Sequence, residues 1–207
     1  MTIYAFFSFI LYCFVTSITP GPNNIMLLSS GLNFGFKSTI PHILGVGIGF
    51  SIMVILVGLG IGNLLTSSQI IYESIKAVGI VYLIYLAYQL LKSDIIDEKE
   101  IKQTKQPITF LQAALFQWVN PKAWVMVIGA VTTYISHSSS LNSFIFLGLV
   151  YGLVNIPSIG LWAYVGNKLK KFIKNKQKIQ IFNIVMASML LLSICYPMYE
   201  VVIFFLG

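Results

Sequence analysis

Arginine is missing from this sequence altogether, and charge of either sign is scarce. The chain of 207 residues holds 13 lysines and 6 acidic residues, 9% charged in all. Soluble domains carry about 25% charged residues. With 57% hydrophobic residues and a mean hydropathy of +0.86, the chain cannot clothe a water-facing surface, so lipid must be its main solvent. The net charge of +7 does not indicate a nucleic-acid partner, because base-edge and phosphate recognition lean on arginine forks. Cysteine is nearly absent too. Cys13 and Cys195 lie in apolar runs, in neither a CxxC nor a metal-ligand spacing, and read as small packing residues. Histidine is limited to His42 and His137, and neither HExxH nor GxSxG occurs. The sequence thus offers no catalytic residue, no metal ligand set and no cofactor motif. Residues 1–4 lack the basic start of a secretory signal, so the first apolar run is expected to be retained.

What the chain has in abundance is long hydrophobic runs. A helix needs about 20 apolar residues to cross a bilayer. Runs of that order cover residues 3–32, 40–65, 70–91, 110–135, 141–165 and 179–206, which predicts six transmembrane helices in a single membrane domain spanning 1–207. The one long polar break, 93–109, divides a first half of 1–92 from a second of 110–207. Lysines set the orientation, since short cytoplasmic loops collect them. Lys37, the group Lys92, Lys99, Lys102 and Lys105, and the cluster Lys168, Lys170, Lys171, Lys174, Lys176 and Lys178 all fall on one side. The connections 62–69 and 136–140 carry none. The lysine-rich side is therefore expected to be cytoplasmic, with both termini outside; the last cluster also suits anionic lipid.

Two of the six runs are interrupted. Thr19-Pro20-Gly21-Pro22-Asn23-Asn24 breaks the first, and Asn120-Pro121-Lys122 breaks the fourth. Proline removes a backbone donor and glycine permits a bend. In lipid such a break is tolerated where other helices or a cavity satisfy the freed backbone. Each half has three spans, so the halves must run in opposite senses. The expected architecture is an all-α 3+3 inverted repeat with interrupted first and fourth helices, the pattern of transporters whose broken helices form the substrate site. Simple proline kinks are the bland alternative. Pro22 and Pro121 suit the first position of a new helix, with Gly21 and Asn120 as caps. Two helix starts facing a common centre would make an anion site, and an amino-acid carboxylate fits it.

Lys122 bears on this directly. A lysine at mid-span costs about 2.5–3.5 kcal/mol on insertion scales. Glu73 and Glu200 map to the outer ends of their spans, and Glu73 has Lys76 three residues away as a local partner. Lys122 therefore pairs either with an anionic substrate group or with carbonyls freed at the first break. Asn23, Asn24, Gln117 and Asn155 add neutral polar groups at similar depth, and Pro157 suggests a further bend in the fifth span. Such amides serve either as ligand contacts or as bonds between helices. The spacings Gly31/Gly35, Gly45/Gly49, Gly58/Gly62 and Gly148/Gly152 allow close helix contact within one subunit or between the copies of a homo-oligomer.

These residues carry a resemblance. Thr19 to Asn24, followed by Gly31, Gly35, Phe36, Gly45, Gly49 and Phe50, resembles the start of the lysine exporter (LysE/RhtB) family. Ala77 to Leu83 is similar to that family's third-span motif, and Phe110 to Lys122 to its fourth-span motif. Pro20 to Asn24 with Ile25, Ser29 and Ser30 most resembles the cysteine/O-acetylserine exporter branch. The resemblance implies proton-driven export of amino acids or close derivatives across the bacterial inner membrane. It also implies that Pro20, Gly21, Pro22, Asn23, Asn24, Asn120, Pro121 and Lys122 form the functional centre. One departure stands out: some members carry a buried acid in the second span, and none occurs here between residues 40 and 65. That leaves Lys122, a buried amine, and His42 as candidates for the proton carrier. The rival classes are a membrane channel or scaffold and, further off, an intramembrane enzyme.

Overall fold

The computed structural model describes residues 2–61, 68–91, 106–134, 140–172 and 176–206. Most of the expected loop at 93–109, His137 and both lysine-free connections fall outside the described residues, wholly or in large part. Every regular element among the described residues is helical: α1 (Ile3–Ile18), α2 (Pro22–Phe34), α3 (Phe36–Leu56), α4 (Gln69–Leu91), α5 (Phe110–Phe116), α6 (Pro121–Tyr134), α7 (Leu141–Phe172) and α8 (Lys176–Leu206). A π-helical turn, Val57–Ile61, extends α3, and a 3-10 turn, Gln117–Val119, extends α5.

Four of these helices, α3, α4, α7 and α8, are long and apolar enough to cross a membrane, and α1 and α2, bent by 58° at their break, are so only when taken together. The chain is thus a multi-pass helical membrane protein. The fourth hydrophobic run is divided more evenly than a single span, into Phe110–Val119 and Pro121–Tyr134. Pro157, where the sequence suggests a further bend, lies inside α7, which continues through it as one helix of 32 residues.

Local chemistry explains the ends. Thr2 caps α1 by accepting from the Ala5 amide, and Thr109 starts α5 with a reciprocal capping box to Gln112. Proline begins both α2 and α6, where its missing donor is not needed. Between α2 and α3 the chain turns on Gly35 alone, whose φ of 85° lies in the left-handed region that glycine enters without strain.

Helix packing crosses the chain's midpoint repeatedly. α1 and α2 lie along α7, α3 lies against both α5 and α7, and α4 pairs with α8. Glycine brings backbones together at these crossings. A Cβ on Gly31 would stand 2.0 Å from the Ala163 carbonyl oxygen, and one on Gly166 would stand 2.0 Å from that of Leu28. Across the α3–α5 contact, Gly45 meets Phe110 with the same intimacy. These are approaches that no larger residue permits.

The buried side chains form three clusters. The first joins α1, α6, the C-terminal part of α3 and the N-terminal part of α7 around Phe9, Phe50 and Tyr151. A second joins α2, α4, α5 and α8. The third, of Leu27, Ile43, Val46, Ala113, Ile159 and Ala163, joins α2, α5 and the opposite ends of α3 and α7. Both helix breaks fall between the first and third clusters.

Candidate functional site

Each break exposes backbone polar groups that need partners. At the end of α1 the last carbonyls all find donors. Thr19 returns its amide to Val15 O and its hydroxyl to Thr16 O. Asn24 Nδ2 donates to Ser17 O at 2.8 Å and to Thr19 O at 2.7 Å, and Trp162 Nε1 donates to Ile18 O at 3.1 Å. Helix ends buried in lipid demand this completeness.

Lys122 completes the set. It starts near the N-terminus of α6, yet its side chain crosses to the far end of α1. There Nζ donates to Thr19 O at 2.6 Å, Thr19 Oγ1 at 3.0 Å and Pro20 O at 3.2 Å. The cation thus leaves the positive end of its own helix for the negative end of another. Of the two partners expected for it, the freed carbonyls are the ones in place; it is not an unpaired cation. Gly21 lies beside the lysine stem, and a Cβ there would fall 2.6 Å from Lys122 Cδ. Backbone at Gly21 is extended, so space for the stem rather than conformation asks for glycine.

The second break is capped by its own side chain. Asn120 Oδ1 accepts from the Lys122 amide at 3.1 Å, as an N-cap should. The start of α2, by contrast, has no side-chain cap. Asn23 ties the breaks together, donating to Gln117 Oε1 at 2.8 Å while Gln117 Nε2 also donates to Ala113 O at 2.7 Å. On the α7 side, Asn155 Nδ2 donates to Ser17 Oγ at 2.9 Å. Its Oδ1 is buried with no partner among the described residues.

A cavity of about 20 Å³ lies where these groups meet. Gly21, Asn23, Asn24, Asn120, Lys122 and Asn155 line it, so both breaks do reach a common centre. Gln117 lies behind Asn23, while Pro20, Pro22 and Pro121 shape the breaks without lining the space. Thr16, Ser17, Met126 and Ile159 also line it and were not singled out from sequence, and Phe50 of the resemblance motif lies beside them. Ser17 carried no signal beyond being a serine in an apolar run. His42 is not brought to this cavity. It is fully buried in α3, and neither ring nitrogen has a partner among the described residues. No group of side chains suited to a metal ion occurs among the described residues.

Comparison with known proteins places this geometry. A family model described as LysE type translocator matches residues 14–199. Among curated proteins, the homoserine/homoserine lactone efflux protein of Salmonella typhimurium is 26% identical over 195 residues, covering 93% of this chain and 95% of its own. The cysteine/O-acetylserine efflux protein of Salmonella paratyphi A is 28% identical over 165 residues, covering 79% of this chain and 83% of its own. An uncharacterized membrane protein of Vibrio cholerae is 26% identical over 194 residues, 91% of this chain and 94% of its own. No solved structure matches the chain.

Proposed function

Because this chain belongs to the LysE type translocator family, which are translocators and not enzymes, we propose that it is a secondary active exporter of amino acids or close derivatives. It works from the cytoplasm of a bacterial cell, across the inner membrane, on proton motive force. The observation that carries this reading is the meeting of both helix breaks, an uncapped helix start and one lysine on a single small, partly open cavity. A substrate carboxylate would sit at the start of α2, near Asn23 and Asn24, with the Lys122 ammonium beside it. Asn120 and Asn155 would offer polar contacts around it, and Lys122 and His42 are the groups proposed to carry the proton past the cavity.

Architecture supports the same reading. Exchanging first half for second turns the α1–α2 contact with α7 into the contact of α5 and α6 with α3. The same exchange returns the α3–α7 and α4–α8 pairs to themselves, and it turns the first buried cluster into the third. We read the chain as six spans in two opposed halves, 1–92 and 110–207, joined by a cytoplasmic loop. One seal then closes the cavity on each side, as alternating access requires. A space of about 20 Å³ suits about one water molecule, so an amino acid needs one seal to open.

Counterflow in proteoliposomes tests the proposal. Labelled homoserine, cysteine and O-acetylserine are compared with homoserine lactone, which has no free carboxylate. Saturable exchange that favours the carboxylates is expected. Equal exchange of homoserine and its lactone would remove the carboxylate site, and an unsaturable conductance would make the protein a channel.

A further inference from the structure

Of the six acidic residues, four crowd between Asp94 and Glu100. The other two, Glu73 and Glu200, lie inside hydrophobic spans 127 positions apart in sequence, and they meet on one lysine. Lys76 Nζ stands 2.9 Å from Glu73 Oε1 and 2.9 Å from Glu200 Oε2, clasping α4 to α8. By residue count Glu73 lies about 6 Å inside the end of α4, and Glu200 about 9 Å inside the end of α8. Both ends are on the lysine-poor side.

A purely structural clasp would need one acid. Here two carboxylates share one ammonium, leaving a net charge of one negative in a place where charge is expensive. Glu73 Oε2 is buried and has no partner among the described residues. The side chain of Glu200, by contrast, is 38% exposed. The cluster thus has an open acid at its edge, a closed one behind it, and room in its charge balance for one proton. Tyr196 and Tyr199 of α8 are the titratable groups beside it. The 3-10 turn, α2 and α5, which also pack on α4 and α8, contain no ionisable side chain.

One helical turn beyond Lys76, α4 meets the second break. A Cβ on Gly79 would stand 1.8 Å from the carbonyl oxygen of Val119, the residue before Asn120. Any shift of α4 against α8 must therefore be felt at the break that lines the cavity.

We infer that the Glu73–Lys76–Glu200 cluster is where the coupling proton enters from the lysine-poor side, a step that rests on the exporter reading above. One proton on a carboxylate makes the cluster neutral and loosens one of its two ion pairs. Lys76 keeps its own proton. The loosened α4–α8 clasp then acts on the α5–α6 break through Gly79.

The test uses the purified chain in proteoliposomes with labelled homoserine and O-acetylserine as probes. Exchange without a gradient is read beside accumulation driven by an imposed proton gradient. Glu73→Gln and Glu200→Gln should keep wild-type exchange and lose driven accumulation, and Glu73→Asp should restore it. The inference is overturned if both glutamine variants accumulate probe like the wild type with an unchanged pH profile. It is equally overturned if they elute as folded protein yet lose exchange and accumulation together. A wild type that exchanges but ignores the gradient sinks this inference and the proton drive while leaving amino-acid exchange standing; a wild type that exchanges neither probe nor any other amino acid sinks the exporter reading beneath it.

Discussion

Lys122 serves two masters in one small space. Its amide is bonded to the Asn120 cap and its ammonium holds the carbonyls of Thr19 and Pro20. Replacing it with methionine should abolish transport while leaving membrane insertion normal. It should also destabilise the protein by about 0.5–1.5 kcal/mol, the net worth of a hydrogen bond in folding, since the carbonyls of Thr19 and Pro20 that lose their donor are exposed. Transport assays and thermal unfolding in detergent measure the two effects, and unchanged transport kinetics would refute the role at the site. The cap at Asn120 and the lysine beside it were legible in the sequence, because both follow from residue type next to proline. Trp162 and Ser17 were not legible. They matter only because α7 lies along α1 at the point where its last carbonyls emerge, and nothing local announces that approach.

At the scale of the helix, the two breaks were readable from proline position, and the four long helices and the bent first pair from hydrophobic length. Proline does not by itself end a helix: α7 runs through Pro157 without a break. Glycine spacing was readable only in part. Gly31 and Gly35 look like one small-residue pair, yet they do different work. Gly35 makes the turn into α3, while Gly31 lies against the Ala163 backbone, as Gly166 does against that of Leu28, to bring α2 against α7. Gly31→Val should therefore destabilise the fold by about 1–3 kcal/mol through overpacking. The backbone of Ala163, not a movable side chain, stands in the way. A lowered unfolding temperature in detergent would show this, and an unchanged one would mean that the helices can separate without cost.

At the scale of the whole molecule, orientation follows from lysines and can be measured. In a Cys13→Ala, Cys195→Ser background, Lys168→Cys should react with an impermeant maleimide only after the cell membrane is opened. Ser140→Cys should react in intact cells. The reverse pattern would invert the proposed topology. The pairing of α4 with α8 shows where sequence reading stops. Glu73 and Lys76, three residues apart on one helix, were a visible pair. Glu200 joins them from the other half of the chain, and only the packing of the two halves brings it there.

The hold of Lys122 on the first break has a dynamic consequence. Its ammonium steadies Thr19 and Pro20 while no other anion competes for it. On the proposed reading, an arriving carboxylate draws that cation away and leaves the joint between α1 and α2 with fewer bonds. The unloaded carrier would then be the stiff one and the loaded carrier the supple one. A pump that must not leak protons needs that asymmetry, moving freely with cargo aboard and hardly at all without it.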